Sequence, residues 1–361
     1  MSLYPSIRSL LFKLDPEDAH NLTLQLVRVA GLLPPARWLL GAIYAAPYKP
    51  VEAFGLQFKN PVGLAAGYDK DGIAIDGLAA LGFGHIEIGT VTPRPQPGNP
   101  KPRVFRLPED EAVINRMGFP SRGTEFVQIQ LDPSLGATFI EKATGIFIRR
   151  GRGNKIRRAA VLGVNLGRNK DTTNEEAVFD YLSLLQNYAP LADYLTINVS
   201  SPNTVGLRSL QGREALHSLL TNLNSQRRIE ETRLEKRLPL LVKLAPDLGT
   251  TELDEAVDVI LATGMDGVIA TNTTLSRVGL RSPRRDETGG LSGRPLARLS
   301  DEVLSALVKR IGGRIPVVAV GGILTPDDAR RKLELGASLV QLYTGLIYSG
   351  PGLVKAIVRK I

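Results

Sequence analysis

The stretch 240–270, LLVKLAPDLGTTELDEAVDVILATGMDGVIA, contains one complete turn of the fold. Leu240–Leu244 is an apolar run of strand length, Thr251–Thr263 has helix length and opens on a Thr-x-x-Asp cap signal, and Val268–Ala270 is a second apolar run. A helix between two strands makes them parallel, since antiparallel neighbours need only a tight turn. The same unit recurs on both sides. Apolar runs at Val62–Ala65, Ile86–Gly89, Val161–Asn165, Leu195–Val199, Val317–Val320 and Leu339–Leu342 bring the strands to eight. Helical stretches at Glu214–Leu223 and Pro326–Leu335 fall between them, the latter opening Thr325-Pro326-Asp327-Asp328. Eight such units predict an α/β chain closed into a (β/α)8 TIM barrel. A doubly wound sheet would want a Gly-x-Gly-x-x-Gly turn after its first strand, and the sequence has none there.

The rest of the chain divides around that barrel. Residues 1–48 read as a small helical domain. Asp15-Pro16-Glu17-Asp18 supplies a cap residue, a proline for the first helical position and acids for the first turn. The stripe Leu22, Leu26, Val29, Ala30, Leu33 follows and stops at Pro34-Pro35, after which Trp38–Tyr44 is almost wholly apolar. This is more apolar surface than a small soluble appendage exposes. Two readings stay open, packing on the main domain or dipping into a bilayer without crossing it. The longest uncharged apolar stretch there, Trp38–Tyr48, has eleven residues, short of the roughly 20 a spanning helix needs. The opening residues are too charged for a cleavable signal. Residues 49–361 form the expected barrel domain. A small hairpin over Val51–Phe54 and Gln57–Lys59 precedes it, and an excursion at 92–122 holds a second hairpin over Val104–Leu107 and Ala112–Asn115.

The 361 residues are 43% hydrophobic and 22% charged, with three His and no Cys. That composition excludes a disordered or disulfide-framework chain, a thiolate metal site and a cysteine nucleophile. The net charge of +9 is local. Between Glu141 and Arg158 seven basic residues meet one acid, so +6 falls within an insertion at about 131–158. With Phe147 its only aromatic, the window lacks the interleaving of a nucleic-acid surface. A solvated loop is the first reading, anionic lipid head groups the second, nucleic acid the last.

Catalytic groups of such barrels sit where strands end. Those positions hold Gly67-Tyr68-Asp69-Lys70, Gly89-Thr90, Asn165, Asn198 with Ser200-Ser201-Pro202-Asn203-Thr204, and Lys243. Thr271-Asn272-Thr273-Thr274, Gly321-Gly322 and Tyr343-Thr344-Gly345 complete the rim. It has no histidine: His85 starts its strand and reads as structural, and His20 and His217 lie outside the strands. No metal-ligand spacing occurs, so no metal is expected. Amides and two lysines suit a planar ligand rich in carbonyls and nitrogens, and glycines after strands seven and eight suit a phosphate. A phosphorylated cofactor such as FMN meets both demands, with Lys243 near the N1/O2 edge of its ring. The plainer alternatives are a rim ion pair for Lys243 and simple turns for the glycines.

The blocks GLAAGYDKDG, IEIGTVTPRPQPGNPKPRVFRL, INRMGF, GVNLGRNKDT, NVSSPNTVGLR, VKLAPD, VIATNTT, TGGLSGRPL, VGGI and GASLVQLYTGLIY, in that order, resemble the dihydroorotate dehydrogenases. The similarity is to the membrane-associated, quinone-dependent class 2. It runs from about residue 5 to the C-terminus, broken by some 22 extra residues in the basic region.

The resemblance implies oxidation of (S)-dihydroorotate to orotate in pyrimidine biosynthesis, through FMN to a membrane quinone. It implies Ser201 as the base that takes the C5 proton while hydride leaves C6, with Thr204 and Phe119 beside the proton route. Substrate contacts are implied for Lys70, Asn115, Arg116, Met117, Gly118, Phe119, Asn198, Asn203, Asn272 and Thr273. FMN contacts are implied for Ala66, Gly67, Tyr68, Asp69, Lys70, Thr90, Asn165, Asn198, Lys243, Thr271, Gly293, Gly322, Tyr343 and Thr344. His20, Arg106 and Tyr343 match polar residues of a quinone tunnel whose mouth is the N-terminal helix pair. A monomer on the membrane surface follows, at the cytoplasmic face if bacterial, with no nucleic acid. Thr344 stands where a serine is common and Tyr68 where a leucine is common, and the basic insertion has no counterpart. The rival readings are another FMN barrel, such as class 1, which carries Cys at the base position, or a peripheral membrane or nucleic-acid module.

Overall fold

The computed structural model describes residues 4–135 and 159–361. The basic window 141–158 lies outside the described residues.

Eight parallel strands close into a barrel in the order β10-β12-β13-β3-β4-β7-β8-β9. They are β3 (Val62–Leu64), β4 (His85–Val91), β7 (Val161–Leu166), β8 (Tyr194–Asn198), β9 (Leu240–Leu244), β10 (Gly267–Ala270), β12 (Val317–Val320) and β13 (Leu339–Leu342). Every strand expected from the apolar runs is one of these. Their legibility has a cause: parallel strands are covered on both faces and read as near-continuous apolar segments.

Side-chain alternation sorts each strand between two cores. Ile86, Ile88, Leu195, Ile197, Leu240 and Val242 face the surrounding helices in the large outer core. Tyr194, Leu241, Ile269, Val318 and Leu339 point inward and plug the bottom of the barrel. The hairpin β1 (Val51–Ala53) and β2 (Leu56–Phe58) closes that end, adding Phe54 and Phe58 to the plug. His85 belongs to this floor. It is 1% exposed, edge-on to Phe58, with neither ring nitrogen hydrogen-bonded. Burial pushes its pKa down to about 3, so the ring is neutral and structural, as its place at the start of a strand implied.

The excursion after β4 carries the expected hairpin, β5 (Val104–Leu107) with β6 (Ala112–Asn115). A third strand, β11 (Gly290–Gly293), pairs antiparallel with β6, Gly290 opposite Asn115. This small sheet walls one side of the barrel mouth. The Thr251–Thr263 helix starts earlier than expected, at Thr250, because the Glu252 carboxylate accepts the Gly249 N–H at 2.7 Å.

Three helices precede the barrel: α1 (Tyr4–Leu11), α2 (Pro16–Leu32) and α3 (Pro34–Tyr44). Asp15 caps α2 by accepting the Glu17 N–H at 2.8 Å. Pro34-Pro35 ends α2 and also begins α3, since a proline costs nothing at the first helical position. The two helices meet at 110°, and among the described residues no single helix is long and apolar enough to cross a membrane. Their outer faces leave Leu26, Leu32, Trp38 (74% exposed) and Leu39 in solvent.

The arm docks through a glycine seam onto α4 (Ile75–Ala80). A Cβ on Gly31 would come within 2.4 Å of Gly77 N, and one on Gly77 within 2.1 Å of Val27 O. Gly31→Val should therefore lift α2 from the barrel, at an overpacking cost of about 1–3 kcal/mol. Limited proteolysis should cut residues 12–48 faster while the barrel's unfolding temperature moves by only a few degrees. Unchanged cleavage would show that the seam tolerates the side chain.

Candidate active site at the barrel mouth

Above the apolar plug the barrel interior turns polar. Glu87, inward on β4 and wholly buried, accepts four hydrogen bonds from three other strands. The donors are Asn165 Nδ2 at 2.8 Å, Gln341 Nε2 at 3.0 Å, Tyr194 OH at 3.1 Å and Thr196 Oγ1 at 3.2 Å. The buried Lys243 sits one strand further round. Desolvation lowers its pKa, and the charge of Glu87 opposes that shift.

A second polar tier rests on this one. Thr90 Oγ1 donates to Asn165 Oδ1 at 2.6 Å, and Asn198 Nδ2 donates to the same oxygen at 2.9 Å. Asn198 Oδ1 accepts from Ser200 Oγ at 2.9 Å, and Asn272 Nδ2 donates to that hydroxyl at 2.9 Å. Arg208 fastens two loops from outside, donating to Ser200 O at 3.1 Å and Thr273 O at 3.0 Å. Ser201, 5% exposed, accepts the Asn203 N–H at 3.2 Å. Asn203 Nδ2 donates to Asn115 Oδ1 at 3.3 Å, tying this loop to the small sheet.

One cavity opens over these tiers. Ala66, Gly67, Lys70, Thr90, Asn115, Met117, Gly118, Phe119, Asn198, Ser201, Asn203 and Lys243 line it, as do Thr271, Asn272, Thr273, Gly293, Gly322, Tyr343 and Thr344. The other residues singled out in the sequence stand just outside its wall. Asn165 lies beneath Thr90 and Asn198. Asp69 is buried behind, accepting the N–H groups of Ile73 and Ala74 at 3.0 and 2.8 Å. Arg116 turns away to Glu287 at 2.8 Å. The Thr204 hydroxyl is buried without a partner. Tyr68 faces the helical arm. Gln341, Ser292, Pro120 and Leu296 also line the cavity and were not singled out. A glutamine near the end of an apolar strand, like an acid inside IEIG, was the available signal.

The residues fit a flavin phosphate cofactor. Thr271 Oγ1 and Gln341 Oε1 are buried against the cavity with no partner, as groups awaiting a ligand would be. Gly321 and Gly322 have φ of +112° and +73°, and a Cβ on Gly322 would come within 2.2 Å of Ala297 Cα. This turn lies against the start of the helix Ala297–Ile311, where backbone N–H groups favour an anion.

A second cavity, of about 310 Å³ and largely apolar, lies between the arm and the mouth. Leu11, Phe12, Val27, Leu40 and Ile347 line it together with His20, Arg106 and Tyr343. Arg106 donates to Leu11 O at 3.0 Å and to Leu14 O, and its guanidinium lies 4.6 Å over the Phe12 ring. The His20 ring meets Tyr68 edge-on at 5.0 Å, and Tyr68 meets Tyr343 at 5.8 Å. Burial first, then the charge of Lys70, pushes the His20 pKa down to about 3. A third, polar cavity under α2 also reaches Lys70 and Met117. All three cavities thus meet at these two side chains.

A family model described as dihydroorotate dehydrogenase matches residues 49–361. The chain belongs to the dihydroorotate dehydrogenase family. Relatives named dihydroorotate dehydrogenase (quinone) in Paraburkholderia phymatum and Burkholderia cenocepacia are each 49% identical to it. These matches cover 98% and 100% of this chain and 96% and 97% of the relatives. A ligand-free DHODH crystal structure from Eimeria tenella superposes with a TM-score of 0.82 at 42% identity, covering 96% of this chain and 94% of that one. The same enzyme in complex with ferulenol gives 0.82 at 40% identity, covering 96% of this chain and 90% of that one.

Lys70 is one of the two lysines of this mouth whose pKa burial lowers. Burial lowers its pKa to about 8, against the opposing pull of Glu17 and Asp71. The ammonium is present below that pH and lost above it, so affinity for a carboxylate ligand should fall as pH rises, by up to about tenfold per unit. The dissociation constant of orotate, followed between about pH 7 and 9, should show that rise. A flat profile would remove the charge of Lys70 from anion binding.

Proposed function

We propose that the protein oxidises dihydroorotate to orotate at the barrel mouth, with FMN as the bound cofactor and a membrane quinone as the final acceptor. The observation that carries this reading is the meeting of two unlike cavities at Lys70 and Met117, one polar and amide-lined, the other apolar and opening under the arm. A charged pyrimidine and a greasy quinone could each reach the centre by a route of matching chemistry. The names of the similar proteins support the same reaction and acceptor.

In this reading the chain's residues divide the work. The side-chain amides of Asn115, Asn198, Asn203 and Asn272 face the imide and carbonyl edge of the pyrimidine, and Lys70 answers its carboxylate. Asn198 and Asn272 are already locked through Ser200, so substrate meets donors and acceptors that need no reorganisation. Ser201 Oγ receives the C5 proton as the C6–H pair departs as hydride and the C5=C6 double bond forms. A serine hydroxyl is a weak base, so it must hand the proton onward. The unpartnered Thr204 hydroxyl and the Phe119 ring flank that exit. Lys243 and the glycine turn Gly321-Gly322 would hold the cofactor's ring edge and phosphate. FMN, when bound, supplies the hydride acceptor and relays the electrons to quinone. His20, Arg106 and Tyr343 form the polar lining of the quinone route. The exposed Leu26, Leu32, Trp38 and Leu39 enter the headgroup layer of the membrane, as a monomer on its surface. The window Glu141–Arg158 within the insertion adds affinity for anionic lipid through its local charge of +6.

The deciding experiment is anaerobic. The purified protein should be yellow, should bleach with L-dihydroorotate, and should recover its colour with a quinone but not with fumarate or NAD⁺. Recovery with fumarate or NAD⁺ would overturn the quinone route, and absence of flavin or of bleaching would overturn the reaction.

Ser201→Ala isolates the proposed base. It should keep its flavin and its orotate affinity while bleaching slows by about 10²–10⁴-fold, read by stopped-flow absorbance. Bleaching at the original rate would move the base elsewhere.

A further inference from the structure

We infer that the buried ion pair between Glu17 and Arg103 is a positioning device that couples docking of the helical arm to the shape of the pyrimidine chamber. The inference rests on the reading that orotate occupies that chamber.

Glu17 belongs to the first turn of α2, and Arg103 immediately precedes β5. They are 7% and 9% exposed. Arg103 Nη2 donates to Glu17 Oε1 at 2.8 Å and Nε to Oε2 at 3.1 Å, a two-pronged contact that sets orientation as well as distance. The remaining nitrogen turns the other way. Arg103 Nη1 donates to Pro97 O at 2.6 Å and Asn99 O at 2.9 Å, curling residues 97–103 around the guanidinium.

What that curl presents is Asn99. Its Nδ2 donates to Arg116 O at 2.9 Å and to Asn203 O at 3.3 Å, and its backbone N–H donates to Met117 O at 2.9 Å. Its amide also lies where a Cβ on Gly118 would be, at 2.7 Å. Asn99 therefore bridges both loops of the chamber, 116–119 on one side and the Ser201–Thr204 loop on the other, without lining the cavity itself. The path from the arm to the chamber is Glu17, Arg103, Asn99, then Met117 and Asn203.

The pair holds this path in one state because neither partner has a cheap alternative. Breaking a buried pair by neutralising one side leaves the other charge uncompensated, which is far costlier than losing a surface bridge. Lys101 also reaches Glu17, at 3.5 Å, but from a 58% exposed position and with a single contact. If the arm shifts, Glu17 moves with α2, Arg103 loses its fork, and Asn99 no longer spaces the two loops.

Glu17→Gln in the flavin-loaded protein tests this. The orotate dissociation constant, read from the flavin difference spectrum, should rise at least about tenfold with flavin content unchanged. Arg103→Lys keeps the charge but cannot make the fork, and should do the same. The double variant should be no worse than the worse single, since both break one path. A purely structural role would lower the unfolding temperature and leave the orotate constant alone, which would overturn the inference. So would additive effects of the two substitutions. Should Glu17→Gln not accumulate as holoprotein, Glu17→Asp keeps the charge, shortens the reach by one methylene and carries the same readout. Wild-type protein that binds no orotate would instead overturn the proposed function, which keeps the two failures distinct.

Discussion

A carboxylate with no exposed surface constrains everything around it, and Glu87 is that carboxylate here. In the barrel interior it must be answered by donors from the neighbouring strands, because a buried charge left short of partners costs several kcal/mol. Asn165, Gln341, Tyr194 and Thr196 supply them. Each answer has a consequence on the far side of the donor. Spending the Asn165 amide nitrogen on Glu87 turns its oxygen upward to receive Thr90 and Asn198. Spending the Gln341 nitrogen leaves its buried oxygen without a partner in a residue that lines the cavity. The pattern of acceptors at the mouth follows from one charge set a layer below it.

The same logic explains why Lys243 can end a buried strand. Desolvation there lowers the pKa of its ammonium, and the charge of Glu87 opposes that shift. Both charges stand on barrel strands, Lys243 in register with Asn198 across β8 and β9 and Glu87 with Gly163 across β4 and β7. Rigid strands rather than loops hold the polar groups, which is the condition for preorganised electrostatics.

How much of this was legible in the sequence depends on the range of the interaction. The eight strands were, because burial on both faces writes itself into consecutive apolar residues. The Asp15 and Thr325 caps were, because they act within one helical turn. Strand β11 was not: GLSG has neither bulk nor β-branching, and its partner Asn115 is 175 residues away. Pro34-Pro35 showed a break correctly but concealed a beginning, since a proline that stops one helix also suits the first turn of the next. Many rim residues were found by strand-end position alone, yet Arg208, Asn99 and Arg103 were not. Arg208 and Asn99 reach backbone carbonyls 65 and 104 residues away, and Arg103 a carboxylate 86 residues away, and nothing local marks a guanidinium as buried. The Glu17–Arg103 contact spans 86 residues, so the chain around either residue gives no hint of the other.

The position of that contact bears on a difficulty any two-cavity arrangement has to solve. A polar chamber and an apolar cavity that share a wall would exchange water unless the wall is rigid. At Lys70 and Met117 the wall is thin, and it is completed by Tyr68, Tyr343 and the neutral His20, rings packed edge to face. Such a wall holds only while α2 stays seated, because His20 and Glu17 lie on the same helix. The residue that closes the apolar side and the residue that grips the chamber are therefore carried by one rigid element. A helix that leaves its glycine seam opens the wall and releases the grip together.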